Sequence, residues 1–598
     1  MDQRRYEYRL LDYKFNDGML LRPDNLTVFV GPNNSGKSRS LKEIAAFTCQ
    51  PHPPRGVVVS AVNVEYPSTL EEFRRAYDVE RHLDENGNWS FRSLGADLSQ
   101  EFQVSGAIWP TPYEEQFRKM QEKPERFSSY FAEQFGRAMV AFLTTESRLQ
   151  LVRVGPSPSH YRQSSSLLQH LYNAGTQAER VVSDLVKQTF GKAVALDFTV
   201  PQTLLLRVGD DFSGLPADPR DARALMQNNE MLDNQGDGIR SFVGIIIALL
   251  TLKRGLFLID EPEAFLHPPQ AFRIGALIAD QSNKSRQIII ATHSADVLRG
   301  ILSRTRDVDI VRIDRVGNTN YFSHLDAQRL KDIINDPLLC SARVLDGLFY
   351  AGAGVVEADS DARFYHAASI KRSRMLDLHF VNADNKQTVP KIVSLYRYMG
   401  VRSAGIVDFD VLNDRAELEK SLQTLGIGDE DLPPLLEAQR QIGQVAKEHP
   451  ASERLGGVQI KLAEIQAKVD EIVQQPYSSA EEEQRTKNAL LRQLESRFKE
   501  LSESTKAWKA LTQAGRAALP PTAQTAFDTI STACAARGLF VNPAGELESM
   551  LTEYGIPATT DKRGWITRAL QLVPSLEPDD AKNPWKFLKA VHEHLQPT

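Results

Sequence analysis

Leu26-Thr-Val-Phe-Val30 runs straight into Gly31-Pro-Asn-Asn-Ser-Gly36-Lys37-Ser38, and a helical pattern opens at Lys37. The apolar run predicts a buried strand, and Lys37 to Phe47 predicts a helix. The loop between them fits G-x-x-x-x-G-K-[ST] in the strand–loop–helix context that this motif requires. Backbone N–H groups and the helix N-terminus then face an anion. Lys37 brings a point charge to the β- and γ-phosphates, and the Ser38 hydroxyl can ligate Mg²⁺. Gly31, Asn34, Gly36, Lys37 and Ser38 are the expected contacts, with ATP and Mg²⁺ as ligands.

Further along, Leu256-Phe-Leu-Ile-Asp260-Glu261 reads as a buried strand ending in two carboxylates. Asp260 is expected to hold Mg²⁺ directly or through water, and Glu261 to orient the attacking water. The next apolar run, Gln287 to Ala291, leads to Thr292-His293-Ser294. His293 there can sense the γ-phosphate or serve a structural role. Tyr6 to Phe15 is expected as a strand, Ile239 to Leu252 as a helix, and a further helix starts at Pro269. Alternation of continuous apolar strands with helices indicates an α/β fold, a mostly parallel sheet covered on both faces. The stretch from Pro51 to about Asp210 is irregular and is assigned to the periphery of this domain.

A second α/β series begins after Leu345 to Tyr350. Its expected elements are strand Gly354–Glu357, a helix through Ile370, strand Leu378–Asn382, a helix at Val389–Met399 and strand Ser403–Asp408. Val355-Val-Glu357-Ala-Asp-Ser-Asp361 and Ile406-Val-Asp408-Phe-Asp410 put acids at the carboxyl ends of strands, where α/β sheets gather ligands. Acids brought together repel one another unless a cation neutralises them, so Glu357, Asp361, Asp408 and Asp410 form a candidate Mg²⁺ or Mn²⁺ site. Such ions polarise a phosphodiester and activate water. By spacing alone these acids also fit a solvated surface; their strand-end placement and order favour the site. Beyond them, Val458, Leu462, Ile465, Val469 and Ile472, then Leu490, Leu494, Phe498 and Leu501, recur at helical spacing on either side of Pro476. A protruding antiparallel helical hairpin is expected.

At 598 residues the chain exceeds one hydrophobic core, so two or three domains are expected. Its 41% hydrophobic and 25% charged content is that of a soluble globular protein. The longest apolar run, Phe242 to Leu252, is too short to span a bilayer, and the N-terminus has no apolar signal region. Cys49, Cys340 and Cys534 are scattered, which fits a reducing cytoplasm and excludes a cysteine-based zinc site. A net charge of −6 gives no global attraction to DNA, so any nucleic-acid surface is local.

The first motif set resembles the ABC-type ATPase fold of the SMC and DNA-repair branch, in which a histidine after the strand following the Asp-Glu strand is the switch residue. That resemblance makes Gln235-Gly-Asp-Gly238-Ile-Arg-Ser241 the signature loop, a departure from LSGGQ. In this branch the loop touches nucleotide held by another subunit. One phosphate loop and one signature loop per chain then imply a homodimer or higher even oligomer with ATP between subunits. The second series resembles a Toprim domain, and the whole resembles the OLD (overcoming lysogenisation defect) family of nucleases. The likeness covers about Tyr6 to Asp410 and Gly538 to Leu551. It implies an ATPase domain at 1–345, with the irregular part at about 51–210. It implies a Toprim nuclease domain at 346–598 with a helical, coiled-coil-like insertion at about 412–535. It makes Glu357, Asp361, Asp408 and Asp410 metal ligands, adds Glu548, and gives a late lysine, Lys562, the role of stabilising transition-state charge, with Lys582 and Lys586 as rivals. The family's glutamate is often followed by Gly, whereas Ala358 follows here. The implied activity is an ATP-regulated, metal-dependent DNA endonuclease or nickase of anti-phage defence. A retron reverse transcriptase with its DNA, or a helicase, is the implied class of partner. The alternative is an ATP-gated DNA clamp or signalling ATPase with an inactive Toprim domain.

Overall fold

The computed structural model describes residues 8–50, 52–67, 131–158, 166–216, 218–282, 286–326, 341–373, 377–448, 451–474, 508–558 and 562–596, with short isolated stretches within 72–129 and 479–494. Met1–Tyr350 with Tyr398–Gly400 forms one compact unit. Ala351–Arg397 with Val401–Thr598 forms the other.

The first unit is organised by Leu26–Val30, Gln287–Ala291 and Leu256–Asp260, whose every residue is buried. Their continuous apolar runs follow from parallel pairing with both faces covered. Gln287–Ala291 lies between the other two, and Asp309–Val316 flanks Leu26–Val30 on its far side, all in parallel. Thr319–Leu325 closes that edge antiparallel, returning through a turn at Gly317. The opposite edge is Val140–Leu143, parallel to Leu256–Ile259. This corrects the reading of 51–210 as wholly peripheral. The four-residue run Val-Ala-Phe-Leu shows neither helical nor alternating periodicity, so nothing local marks it as a core strand. The same stretch holds the antiparallel pair Ala193–Asp197 and Thr203–Gly209 and the helices Leu167–Ala174 and Thr176–Phe190. Of the strand expected over Tyr6 to Phe15, residues 6 and 7 lie outside the described residues and Arg9–Phe15 is a strand, but it pairs antiparallel with Val59–Glu65 in a separate sheet.

Helix Lys37–Cys49 leaves the phosphate loop with its buried side on the sheet. From it, Glu43 accepts the backbone N–H groups of Val57, Val58 and Val59 at 2.8–2.9 Å and the Arg39 guanidinium at 2.7 Å. Burial raises this carboxyl, but these donors together hold it below its ordinary value. Glu43→Gln keeps the shape and removes the charge that strengthens these bonds. It should destabilise the protein by about 2 kcal/mol, the scale of a hydrogen bond to a charged group. The difference should be greatest near neutral pH and shrink as acid protonates Glu43 in the parent. Chemical denaturation at pH 7 and pH 4 reads this directly.

The second unit is a four-stranded parallel sheet in the order Leu378–Asn382, Gly352–Val356, Arg402–Val407, Leu539–Val541. Helices Asp359–Arg372 and Val389–Tyr398 make the crossovers between its first three strands in sequence. Gly405 lets the second crossover approach: a Cβ there would stand 2.8 Å from Val389 Cγ1 and 2.9 Å from Val393 Cγ2. Trp565, from Lys562–Leu572, and Trp585, from Trp585–Leu595, complete the core. Within 412–535, helix Leu432–Glu448 buries Leu435, Leu436, Ile442 and Ala446, and Pro521–Ala536 buries Phe527 and Ile530. Phe527 stacks on Phe409, beside the acids, with ring centroids 5.3 Å apart. Both flanks of the insertion are therefore built into the domain. Of the expected hairpin, one arm is the helix Ala451–Gln474, on which Ile465 is buried and Leu462 exposed. Pro476 and most of the second arm lie outside the described residues. Among the described residues, no helix is long and apolar enough to cross a membrane.

Candidate nucleotide site and acidic centre

The phosphate loop owes its shape to glycine. Gly31 has φ +139°, and a Cβ there would stand 2.0 Å from the Ile313 carbonyl oxygen. Gly36 has φ +107° and Asn34 φ +60°, the latter tolerable for asparagine. Asn320 donates to the Ser35 carbonyl at 2.7 Å, fixing the loop from the neighbouring hairpin. Lys37 Nζ donates to the carbonyls of Gly31 (2.8 Å) and Pro32 (2.7 Å). Burial lowers its pKa to about 8, while Glu261, Glu263 and Asp260 oppose that shift. The amine is thus held inside the loop, charged at neutral pH and facing the acids.

Because the strand ending at Ala291 lies between the other two, His293 stands between the phosphate loop and Glu261. His293 Nε2 is 3.2 Å from Glu261 Oε1. Burial, then Lys37, lowers the imidazole to about 4, so it is neutral at physiological pH. Glu263 accepts the His293 backbone N–H and fixes where the histidine starts. Asp260 is buried, which raises its carboxyl, and Ser38 hydrogen-bonds to it. Asp260 Oδ1 is buried without a partner among the described residues. An oxygen ligand with a lone pair to spare beside a serine hydroxyl suits Mg²⁺ next to a phosphate. Gly238 lies in the first turn of helix Asp237–Thr251, where a Cβ would stand 2.5 Å from the Phe265 carbonyl oxygen.

In the second unit, Glu357 follows strand Gly352–Val356 and accepts the Asp408 backbone N–H at 3.0 Å, tying two strand ends together. Asp361 reaches back to the Ala358 N–H at 3.1 Å. Asn542, at the end of the fourth strand, donates to Asp408 Oδ1 at 3.4 Å. Burial, then Asp410, pushes Glu357 up to about 7. Asp408 stands well above the carboxylate range through burial, then Glu357 and Asp361. Asp361 is raised by burial too, with Glu548 adding to the shift. Glu548 is buried, its Oε1 3.8 Å from Lys562 Nζ. Partial burial lowers Lys562, but Glu548, Asp408, Glu546 and Asp361 outweigh it and raise the amine. Of the rivals, Lys582 pairs with Asp579 at 4.0 Å, and Lys586 lies on helix Trp585–Leu595. Asp410 is held differently: Lys386 Nζ lies 3.1 Å from its Oδ2 and 3.3 Å from Glu417 Oε2.

These carboxylates thus interact electrostatically, and Asp410 Oδ1 and Glu548 Oε2 are buried without partners among the described residues. That donor set suits a hard divalent cation. Even so, among the described residues no three His, Cys, Asp or Glu side chains stand in metal-holding geometry.

The family model described as "AAA domain, putative AbiEii toxin, Type IV TA system" matches residues 77–299. The matched span contains Asp260, Glu261 and His293 and begins after the phosphate loop. No curated protein matches the chain. Among solved structures, the SMC head domain from Thermotoga maritima is 13% identical, covering 54% of this chain and 100% of its own, with a TM-score of 0.27. The Smc head domain with an extended coiled coil from Pyrococcus furiosus, bound to the C-terminal domain of ScpA, is 12% identical, covering 55% and 99%, with a TM-score of 0.32. CbiO1 from Clostridium perfringens, part of the ABC transporter complex cbiONQ, is 13% identical, covering 55% and 91%, with a TM-score of 0.24. Phosphate loop, carboxylate-ended strand and family match make the first unit an ATPase domain.

Four residues at these sites escaped the sequence reading. Arg148 donates to the carbonyls of Asp260 and Glu261. Asn542, Lys386 and Glu417 touch or flank the second set of acids. None carries a motif. Asn542 alone had a usable signal, its place directly after the short apolar run Leu539–Val541.

Proposed function

We propose that this protein is an ATP-regulated, divalent-metal-dependent DNA endonuclease or nickase. The observation that carries the reading is the gathering of Glu357, Asp361, Asp408 and Glu548 at the carboxyl edge of a parallel sheet, with Lys562 as a counter-charge. The strand–helix–strand–helix–strand order and the strand-end acids support a Toprim domain within about 346–598. Glu357, Asp361, Asp408, Asp410 and Glu548 would hold Mg²⁺ or Mn²⁺. Such an ion supplies Lewis-acid polarisation of the phosphodiester and a nucleophile at neutral pH. The protein's own contribution is positional and electrostatic. The Glu357–Asp408 backbone bond sets the spacing of two strand ends, Asn542 orients Asp408, and Lys562 offers its charge to a phosphate oxygen. In the first unit Lys37 binds the phosphates, Ser38 and Asp260 would hold Mg²⁺, Glu261 orients water and His293 senses the γ-phosphate. The matched family's description as a putative toxin of a toxin–antitoxin system supports a role in defence. A retron reverse transcriptase or helicase partner has no observation behind it.

The clamp reading keeps one supporting observation: among the described residues the acids do not form a ready metal-holding group. Supercoiled plasmid separates the two. The full-length protein with Mg²⁺ or Mn²⁺, with and without ATP, should nick or linearise it, and EDTA should stop the reaction. If no combination of metal and nucleotide gives cutting, the clamp is correct.

A homodimer belongs to the same proposal, with Gly238 of one subunit completing the Lys37 site of the other. Mixing Lys37→Ala with Gly236→Asp protomers, the latter changed in the same loop at a glycine whose added Cβ would meet nothing within 4 Å, should restore about one working site per mixed dimer. A monomeric mass with full ATPase activity would contradict it.

A further inference from the structure

We infer that Arg148 is a positioning residue for ATP hydrolysis: its guanidinium fork fixes the peptide units of Asp260 and Glu261 and thereby aims the Glu261 carboxylate. The inference rests on reading Glu261 as the residue that orients the attacking water.

Glu261 sits where the chain breaks sharply from strand Leu256–Asp260. Its φ is +47°, in the left-handed region, which a non-glycine side chain adopts only when its surroundings enforce it. The enforcing contacts can be named. The Glu261 N–H donates to the Ala291 carbonyl at 2.8 Å, and its carbonyl accepts the Ala264 N–H at 2.9 Å. Arg148 supplies the remaining hold, with Nη1 donating to the Asp260 carbonyl at 2.6 Å and Nη2 to the Glu261 carbonyl at 2.9 Å. Two parallel bonds from one planar group fix the tilt of both peptide units, so the direction of the intervening Cα–Cβ bond is fixed too.

The fork is itself held rigidly. Arg148 is fully buried. It lies on helix Thr145–Leu151, directly after the edge strand Val140–Leu143 that pairs with Leu256–Ile259. Thr144 and Ser147 cap that helix reciprocally, each side chain accepting the other's backbone N–H at 3.0 Å. Arg240 binds the Leu149 carbonyl at 3.0 Å, and a Cβ at Gly244 would stand 2.9 Å from the Arg148 carbonyl oxygen, so the long helix Asp237–Thr251 is pressed against it. Burial lowers the guanidinium to about 10, with Glu263, Asp260 and Glu261 opposing, and it stays charged at neutral pH. None of those carboxylates bonds to it in the structure; both strong bonds go to backbone. A helix needing only an anchor would be served by an apolar side chain without a buried charge. A charged fork on the two carbonyls behind the hydrolytic carboxylate fits a role in aiming that carboxylate.

Arg148→Lys keeps the charge and loses the fork; Arg148→Met keeps the bulk and loses both. Nucleotide affinity, set by Lys37 and the glycine loop, should stay within about threefold of wild type in both variants, while kcat falls by about 10–100-fold. Combining Arg148→Lys with Glu261→Gln should slow hydrolysis no further than Glu261→Gln does, because both act on one carboxylate. If Arg148→Met does not fold, Arg148→Lys decides. A wild-type kcat in Arg148→Lys overturns the inference, as does a loss confined to nucleotide affinity or an effect that multiplies with Glu261→Gln. Undiminished hydrolysis by Glu261→Gln itself would instead remove the reading of Glu261 on which the inference stands.

Discussion

Lys37→Ala should abolish measurable ATP hydrolysis and weaken nucleotide binding by at least about 100-fold. The amine is buried, charged at neutral pH and directed by the Gly31 and Pro32 carbonyls into the loop where the phosphates belong. Removing it leaves the loop's N–H groups and the helix N-terminus but deletes the only side-chain cation that the loop itself provides. A charge-assisted phosphate contact in such a setting contributes roughly 3 kcal/mol, which sets the hundredfold scale. Glu261→Gln should behave oppositely, retaining ATP while turnover falls by about 10²–10³-fold to a small residual rate, because the carboxylate that orients water is neutralised and no phosphate contact is lost. Isothermal titration with ATP and a phosphate-release assay on the two variants read this pair. Normal affinity in Lys37→Ala would remove the phosphate-loop assignment.

The elements legible in the sequence were those whose pattern is local. Leu26–Val30, Gln287–Ala291 and Leu378–Asn382 matched residue for residue, because strands buried on both faces appear as unbroken apolar runs. Helix Lys37–Cys49 was two residues longer than expected, which is ordinary fraying at a helix end. Val140–Leu143 was hidden because its burial comes from a partner more than a hundred residues away, at Leu256–Ile259. The sites divide in the same way. Lys37, Asp260 and Glu261 are announced by motif. Arg148 meets the Asp260 carbonyl only through the fold, and an isolated arginine after a short apolar run carries no local mark. Lys386 likewise resembles any loop lysine until the sheet carries it to Asp410 and Glu417.

The second large effect belongs to Asp408. Asp408→Asn preserves volume and can keep a hydrogen bond to Asn542, while its backbone N–H can still bind Glu357. What disappears is an ionisable carboxyl, which burial, then Glu357 and Asp361, holds well above the carboxylate range and which a divalent cation would bind in its deprotonated form. In the metal-free protein an uncharged amide at this buried position adds no charge to the neighbouring acids, so the variant should fold at least as well as the parent. Cleavage should nevertheless fall by about 10²–10³-fold or more, the scale seen when one preorganised group opposing transition-state charge is removed. ATP hydrolysis depends on Lys37, Ser38, Asp260 and Glu261 and should be unchanged within about twofold.

The most direct measurement is therefore the nicking of supercoiled plasmid by Asp408→Asn and by wild type in Mn²⁺, with ATP turnover followed in the same reactions. The nuclease reading predicts cutting by the wild type, near-complete loss in Asp408→Asn and equal ATP hydrolysis in both. Equal cutting by the two proteins would contradict it.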